Sequence, residues 1–392
     1  MSLRTSRTAA AALVTFATFT DLVAYSIAVP VLPDLSRQIG ASATVIGLLF
    51  SSFGLSLLVV SIPMGAVSDR VGRKLPLVLG LVALAASTVL FAFAEDLSWL
   101  FAARLVQGAA DAVTWVVGFA LIADLYGPAE RGRVMGLVMA GANFGLMIGP
   151  SLGGWLYESG GVKLPFLTAA ALSAAGALGF LWLRLPSTHA VREPVPLRLV
   201  VSVPAVAACA LAVIVAAATL SMLEPVVSLW LALQIDLNPT RIGLVFGIAA
   251  VVSTGLHPVY GRLADRWGGR QLTMIGLVAM ASTLPLLAQA WSFESAVGLY
   301  VLVAATAALV ITPSLAYMAD ATSQAGVESF GVSYGLYNFA WGVGLLVGPA
   351  AGGFLFERLG FERLTLVWMP VVVAITVLLV RGRSRAVLAR PV

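Results

Sequence analysis

The chain has 392 residues, of which 60% are hydrophobic and only 10% charged, with 38 glycines. This composition excludes a soluble globular protein and points to a polytopic membrane protein, whose close-packed helices tolerate frequent glycine. A formal charge of +5 would suggest an acidic partner in a soluble protein, but here the basic residues fall between apolar runs, so nucleic-acid binding has no support.

An all-α fold is predicted, with twelve apolar runs of about 20 residues, each long enough to cross roughly 30 Å of hydrocarbon. They are placed at 10–32, 44–66, 75–94, 99–123, 134–156, 163–184, 203–232, 240–261, 271–290, 295–319, 330–356 and 362–381. The first run is full length and contains Asp21, so it is read as a retained helix and not a cleaved signal. Tyr25 lies one turn beyond Asp21. A carboxylate at this depth must bind a proton, a cation or a fixed base, or else take a structural hydrogen bond from Thr18 or a neighbouring helix.

Between the second and third spans stands G-x-x-x-D-R-x-G-R-K over residues 65–74. Gly65 and Gly72 permit a close approach and a tight turn, Asp69 is placed to cap the connection, and Arg70, Arg73 and Lys74 are expected at the surface as topology anchors. The fourth span carries Arg104, Gln107, Gly108, Asp111 and Trp115 on one face. Arg104 and Asp111 are read either as a buried structural pair or as a proton relay. Asp124 and Asp320 end the fourth and tenth spans and are candidate partners for the loop arginines. In the fifth span Gly141, Gly145 and Gly149 form a small-residue stripe. In the seventh, Glu224 precedes Pro225, which permits a kink; Glu224 is otherwise read as a hydrated rim residue.

The chain repeats itself. The 65–74 motif returns 196 residues later at 261–270 with Asp265 and Arg266, and G-x-x-x-G-P-x-x-G-G at 145–154 (Gly145, Gly149, Pro150, Gly153, Gly154) returns 199 residues later at 344–353. Two six-helix halves are expected, 1–184 and 204–392, joined by a linker at 185–203 rich in Pro and charge. With both termini inside, the inner segments hold most of the 23 Lys/Arg, so both ends are expected to be cytoplasmic. His189 and His257 lack the clustered partners of a metal site, and no G-x-x-x-x-G-K-[ST] loop is present, so neither a metal nor a nucleotide cofactor is expected.

The 65–74 motif, Arg104-Leu-Val-Gln107-Gly108 and the 145–154 motif together resemble the signatures of major facilitator superfamily drug:proton antiporters. Within that superfamily, the segment from Asp21 to Pro33 and that from Leu223 to Trp230 are similar to the vesicular monoamine and acetylcholine transporters, and the chain resembles a bacterial-type relative of these. The resemblance implies a monomeric multi-pass transporter of the bacterial inner membrane that exchanges protons for a cationic or amine substrate. Asp21, Glu224, Arg104, Asp111 and Asp320 would then serve proton coupling, and Asp69, Arg70, Arg73, Asp124, Asp265 and Arg266 a conformational latch, with Asp320 divided between the two roles. Trp115, Asn143, Tyr334, Tyr337, Asn338 and Trp341 fall on spans that line the cavity in this superfamily; with Asp21, Tyr25 and Glu224 they would bind substrate, although each aromatic read alone is packing. Two positions depart from the vesicular pattern: Asn338 replaces a carboxylate and Gly54 aligns with a lysine. The alternatives are a proton symporter or uniporter of a neutral metabolite, and a non-transporting receptor or scaffold.

Overall fold

The computed structural model describes residues 3–185, 203–324 and 330–387. The expected linker lies almost wholly outside these, and Tyr334 lies outside the residues whose side chains are described. Among the described residues all regular structure is helical. The helices are α1 (Leu3–Ser26), α2 (Leu32–Ile39), α3 (Ala43–Val71), α4 (Lys74–Ala92), α5 (Leu97–Leu125), α6 (Pro128–Gly160), α7 (Lys163–Trp182), α8 (Pro204–Gln234), α9 (Pro239–Trp267), α10 (Gly269–Leu287), α11 (Phe293–Gln324) and α12 (Phe330–Val387).

Eleven stretches among the described residues are long and apolar enough to cross a membrane. The last two expected spans both lie in α12, which consists of two helices meeting at Gly360, where φ is 76°. The first span is longer than expected. A single turn of 3-10 helix at Val29–Val31 joins α1 to α2, because Pro30 and Pro33 withhold their N–H groups where a new helical turn leaves them unused anyway.

The chain divides into two compact units, residues 1–42, 48–192 and 231–247 in the first and 43–47, 193–230 and 248–392 in the second. In the first, α1 packs on α5, α6 and α7, and α4 packs on α5 and α7; in the second, α10 packs on α11 and α12. The sequence repeat reappears as backbone geometry. Gly72 (φ 85°) and Gly268 (φ 88°) turn the chain into α4 and α10 in a left-handed conformation that disfavours any side chain. N-terminal N–H groups are satisfied in matching fashion: in the first unit Glu158 accepts from the Thr240 N–H at 3.2 Å, and in the second Glu357 accepts from the Thr44 N–H at 2.9 Å.

The stripe on α6 sets the position of α1. A Cβ at Gly145 would run into the Phe19 carbonyl, and one at Gly153 into the Ile27 carbonyl. Gly348 of α12 stands in the same way against the Ala218 carbonyl of α8. Contact this close between backbones holds helices together where lipid supplies no hydrophobic drive. Gly145→Ala is therefore expected to destabilise the folded protein by about 1–3 kcal/mol, the usual cost of overpacking. Gly136→Ala on the same helix meets open space and should be neutral or slightly stabilising. Thermal unfolding of the two purified variants checks this; equal midpoints would refute the packing role of the stripe.

Candidate functional site

Helix α5 starts cleanly because Asp96 caps it, accepting from the N–H groups of Ser98 at 2.8 Å and Trp99 at 3.2 Å. Along its length it carries Arg104, Gln107 and Asp111, all buried in an apolar helix. α1, fixed by α6, brings Asp21 against this face with 1% of its surface exposed. The Trp115 indole N–H donates to Asp21 Oδ2 at 3.1 Å. The Asp21 and Asp111 carboxyls are near enough to share a hydrogen bond, and Trp115 serves both. A hydrogen bond between two carboxyls requires a proton on one of them, since an ionised carboxylate only accepts. Among the described residues no Lys, Arg or His forms an ion pair with either acid. Thr18 does not serve Asp21 as a donor: its hydroxyl donates to backbone carbonyls, that of Thr15 at 3.0 Å among them.

Among the described residues no ion pair joins Arg104 to Asp111. Its guanidinium lies over the rings of Phe50 at 4.4 Å, Phe91 at 5.2 Å and Tyr25 at 5.8 Å. Seven residues separate the two by about 10 Å along the helix, and side chains lean toward the helix N-terminus, so Arg104 leans away from Asp111. Each meets different neighbours in this structure. Tyr25, expected at the substrate, is buried, with its ring 4.9 Å from that of Phe53. Gln107 donates to Thr88 at 3.1 Å. Phe50 and Phe91 escaped the sequence reading because nothing distinguishes a ring that holds a cation from one that packs.

The 65–74 motif forms a cluster centred on Arg73. Its Nε donates to Asp124 Oδ2 at 2.8 Å and its Nη1 to Ser68 at 2.6 Å, and Asp69 is also paired with it. Arg73 is therefore buried, contrary to the surface position expected of it, whereas Arg70 is exposed. Asp69 pairs with Arg73 instead of capping the turn. Lys74 donates to the carbonyls of Leu181 and Leu183, both at 2.8 Å, and so caps the end of α7. The second repeat has no equivalent ion pair among the described residues. Gly269 occupies the position of Arg73, a Cβ there would meet the Pro313 carbonyl at 2.7 Å, and Asp265, Arg266 and Asp320 are exposed.

In the second unit Glu224 is half-buried on α8, with the buried Tyr300 of α11, which the sequence reading passed over, in electrostatic reach. The Tyr337 hydroxyl donates to the Ile311 carbonyl at 3.2 Å, and its ring stacks with Trp341 at 6.3 Å. Asn338 is exposed, and Asn143, on α6 of the first unit, is half-buried.

The chain matches the Major Facilitator Superfamily over residues 14–207 and 209–391. It is 33% identical over 368 residues to the probable vesicular acetylcholine transporter-B of Danio rerio, an alignment covering 88% of this chain and 73% of that protein. It is 28% identical over 338 residues to the chromaffin granule amine transporter of Rattus norvegicus, covering 84% of this chain and 63% of that protein. The fold is similar to that of a bacterial homolog to the human lysosomal transporter Spinster, with a TM-score of 0.81 and 14% identity over 95% of this chain and 96% of that one. The chain belongs to the major facilitator superfamily and is a multi-pass membrane transporter, not an enzyme.

The Arg73 cluster is open to a direct test. Removing one partner of a buried pair leaves the other charge uncompensated and costs about 3–5 kcal/mol, so Arg73→Ala should lower the thermal midpoint strongly. Arg70→Ala, on an exposed side chain, should stay within about 0.5 kcal/mol of the parent. The reverse ranking would return the structural role to Arg70.

Proposed function

We propose that this superfamily member is a secondary active antiporter, exchanging protons for an amine or lipophilic cation by alternating access, with Asp21 and Asp111 as the coupling acids. The observation that carries the proposal is the buried carboxyl pair with no fixed counter-cation among the described residues. Two carboxylates out of water are costly unless a positive charge neutralises them. A proton or a substrate ammonium each meets that need, so either occupies the pair and the arrival of one favours departure of the other. Trp115 holds the Asp21 carboxyl in one orientation and thus keeps the acceptor geometry fixed for both. The similarity to acetylcholine and amine transporters supports an organic cation as substrate.

Around this centre, Glu224 with Tyr300 is assigned as a second cation-attracting position, and Arg73 with Asp124 as the latch that biases one conformation. Coupling is assigned to the acid pair in preference to Asp320, which is exposed and forms no ion pair among the described residues. The proton gradient is the sole energy source in this reading, with no cofactor, a monomeric protein, both termini cytoplasmic and a bacterial inner membrane as the location.

Reconstituted in vesicles with an imposed pH gradient, the protein should drive an amine against the direction of proton flow. Asp21→Asn should reduce gradient-driven exchange at least about a hundredfold, the loss expected when a residue acting in the coupling step is removed. The variant should remain folded, because an uncharged amide removes a buried charge without changing its shape. Movement of amine and protons in the same direction, or full exchange by Asp21→Asn, would overturn the antiport assignment.

A further inference from the structure

A cleft of about 420 Å³ lies in the first unit on the far side of α1 from the acid pair, with Ala12, Phe16 and Phe19 of α1 and Leu137, Gly141 and Phe144 of α6 in its lining. At 3.6 residues per turn the three α1 positions fall within about 60° of one another and about 140–180° from Asp21, so the cleft opens away from α5. α7 borders it, where a Cβ at Gly176 would stand 3.5 Å from the Phe16 ring. The hollow exists because Gly141 has no side chain: a Cβ there would run into Thr15. Stacked rings make its wall, Phe16 on Phe19 at 6.1 Å and Phe19 on Phe144 at 5.9 Å. Its one polar side chain, the Thr15 hydroxyl, already donates to the Ala11 carbonyl at 2.9 Å. Leu137 and Phe144 are 58% and 49% exposed, on helices that are both long and apolar enough to cross a membrane.

Arg133 gives this apolar cleft a charged mouth. It stands one turn before Leu137, in register with Gly141 and Phe144 on the same face of α6. Its side chain is exposed and forms no ion pair among the described residues, while Glu130, its acidic neighbour three residues earlier, is paired with Arg7 at 2.9 Å. Side chains lean toward the start of their helix, which carries the Arg133 guanidinium from the cleft toward the membrane surface. From this arrangement we infer that the cleft is a lipid site, holding one acyl chain of an anionic phospholipid with Arg133 on its phosphate. The chain finds only apolar surface, and the guanidinium offers the forked donors that suit a phosphate. The site stands apart from the exchange reading above, since it uses the opposite side of α1.

A phosphatidylglycerol with a photoactivatable group midway along one acyl chain is crosslinked to the purified full chain and the adducts are mapped by mass spectrometry. They should concentrate on residues 12–19 and 137–144; adducts spread evenly over the apolar spans overturn the site without recourse to any variant. Thermal unfolding in detergent then reads the headgroup. Dioleoyl phosphatidylglycerol should raise the midpoint at least about 2 °C more than dioleoyl phosphatidylcholine, and Arg133→Gln should abolish that difference. Ala12→Trp fills the cleft from an exposed position and should remove the adducts. Equal midpoints with the two lipids in the parent protein, or undiminished adducts in folded Ala12→Trp, overturn the inference. So do the two rival occupants: adducts displaced by tetraphenylphosphonium give the cleft to a lipophilic cation, and adducts that vanish as the chain dimerises at higher protein concentration give it to a second copy.

Discussion

The approach of α1 to the glycine face of α6 is the constraint from which the site follows. Wherever a Cβ would strike a carbonyl of α1, glycine removes it, and the two backbones meet. The contact runs from Phe19 to Ile27 and so brackets Asp21, which has no freedom to slide toward either membrane surface. With α1 fixed, the buried carboxyl must find its partners on α5, and it finds Trp115 and Asp111 there. The G-x-x-x-G-P-x-x-G-G motif is in this sense a positioning device for the acid on another helix.

Buried charge is expensive, and the first unit meets that cost in three ways. Arg73 and Asp124 neutralise each other directly, with Ser68 and Asp69 completing the cluster. Arg104 rests on the faces of three rings. Asp21 and Asp111 form no ion pair among the described residues and share an indole N–H, and in the proposed exchange their charge is compensated by a mobile partner. The first arrangement is a closed ion-pair cluster. A third that needs a mobile partner is the one suited to exchange.

Much of the fold was legible in the sequence, because span length and glycine spacing are properties of the local chain. The repeated motifs translate into paired left-handed turns, Gly72 with Gly268 and Gly161 with Gly360. The site was only partly legible. Helical spacing puts Arg104, Gln107, Asp111 and Trp115 on one face and suggests a pairing of Arg104 with Asp111, whereas among the described residues Arg104 meets aromatic rings and Asp111 meets Asp21. Spacing along one helix carries no information about which neighbouring helix each side chain meets. The identity of Arg73 as the buried arginine of the 65–74 motif, and of Phe50 and Phe91 as the ring partners of Arg104, depends on tertiary packing that leaves no local mark.

The two repeats share backbone devices and differ in charge. Turns, glycine contacts and the carboxylates that cap Thr44 and Thr240 recur, because each solves a geometric problem that any copy of the same helical path must face. A buried charge is a different kind of problem: it needs its own partner wherever it appears, so duplicating it adds a cost without adding to the path. Gly269 illustrates the exchange. At the position where the first repeat buries Arg73, the second brings α10 against the Pro313 carbonyl and the Tyr317 backbone so closely that no side chain fits. Tight packing there and an ion pair in the first repeat are alternative ways to join the same two elements, and only the ion pair has charges that a change of conformation can separate.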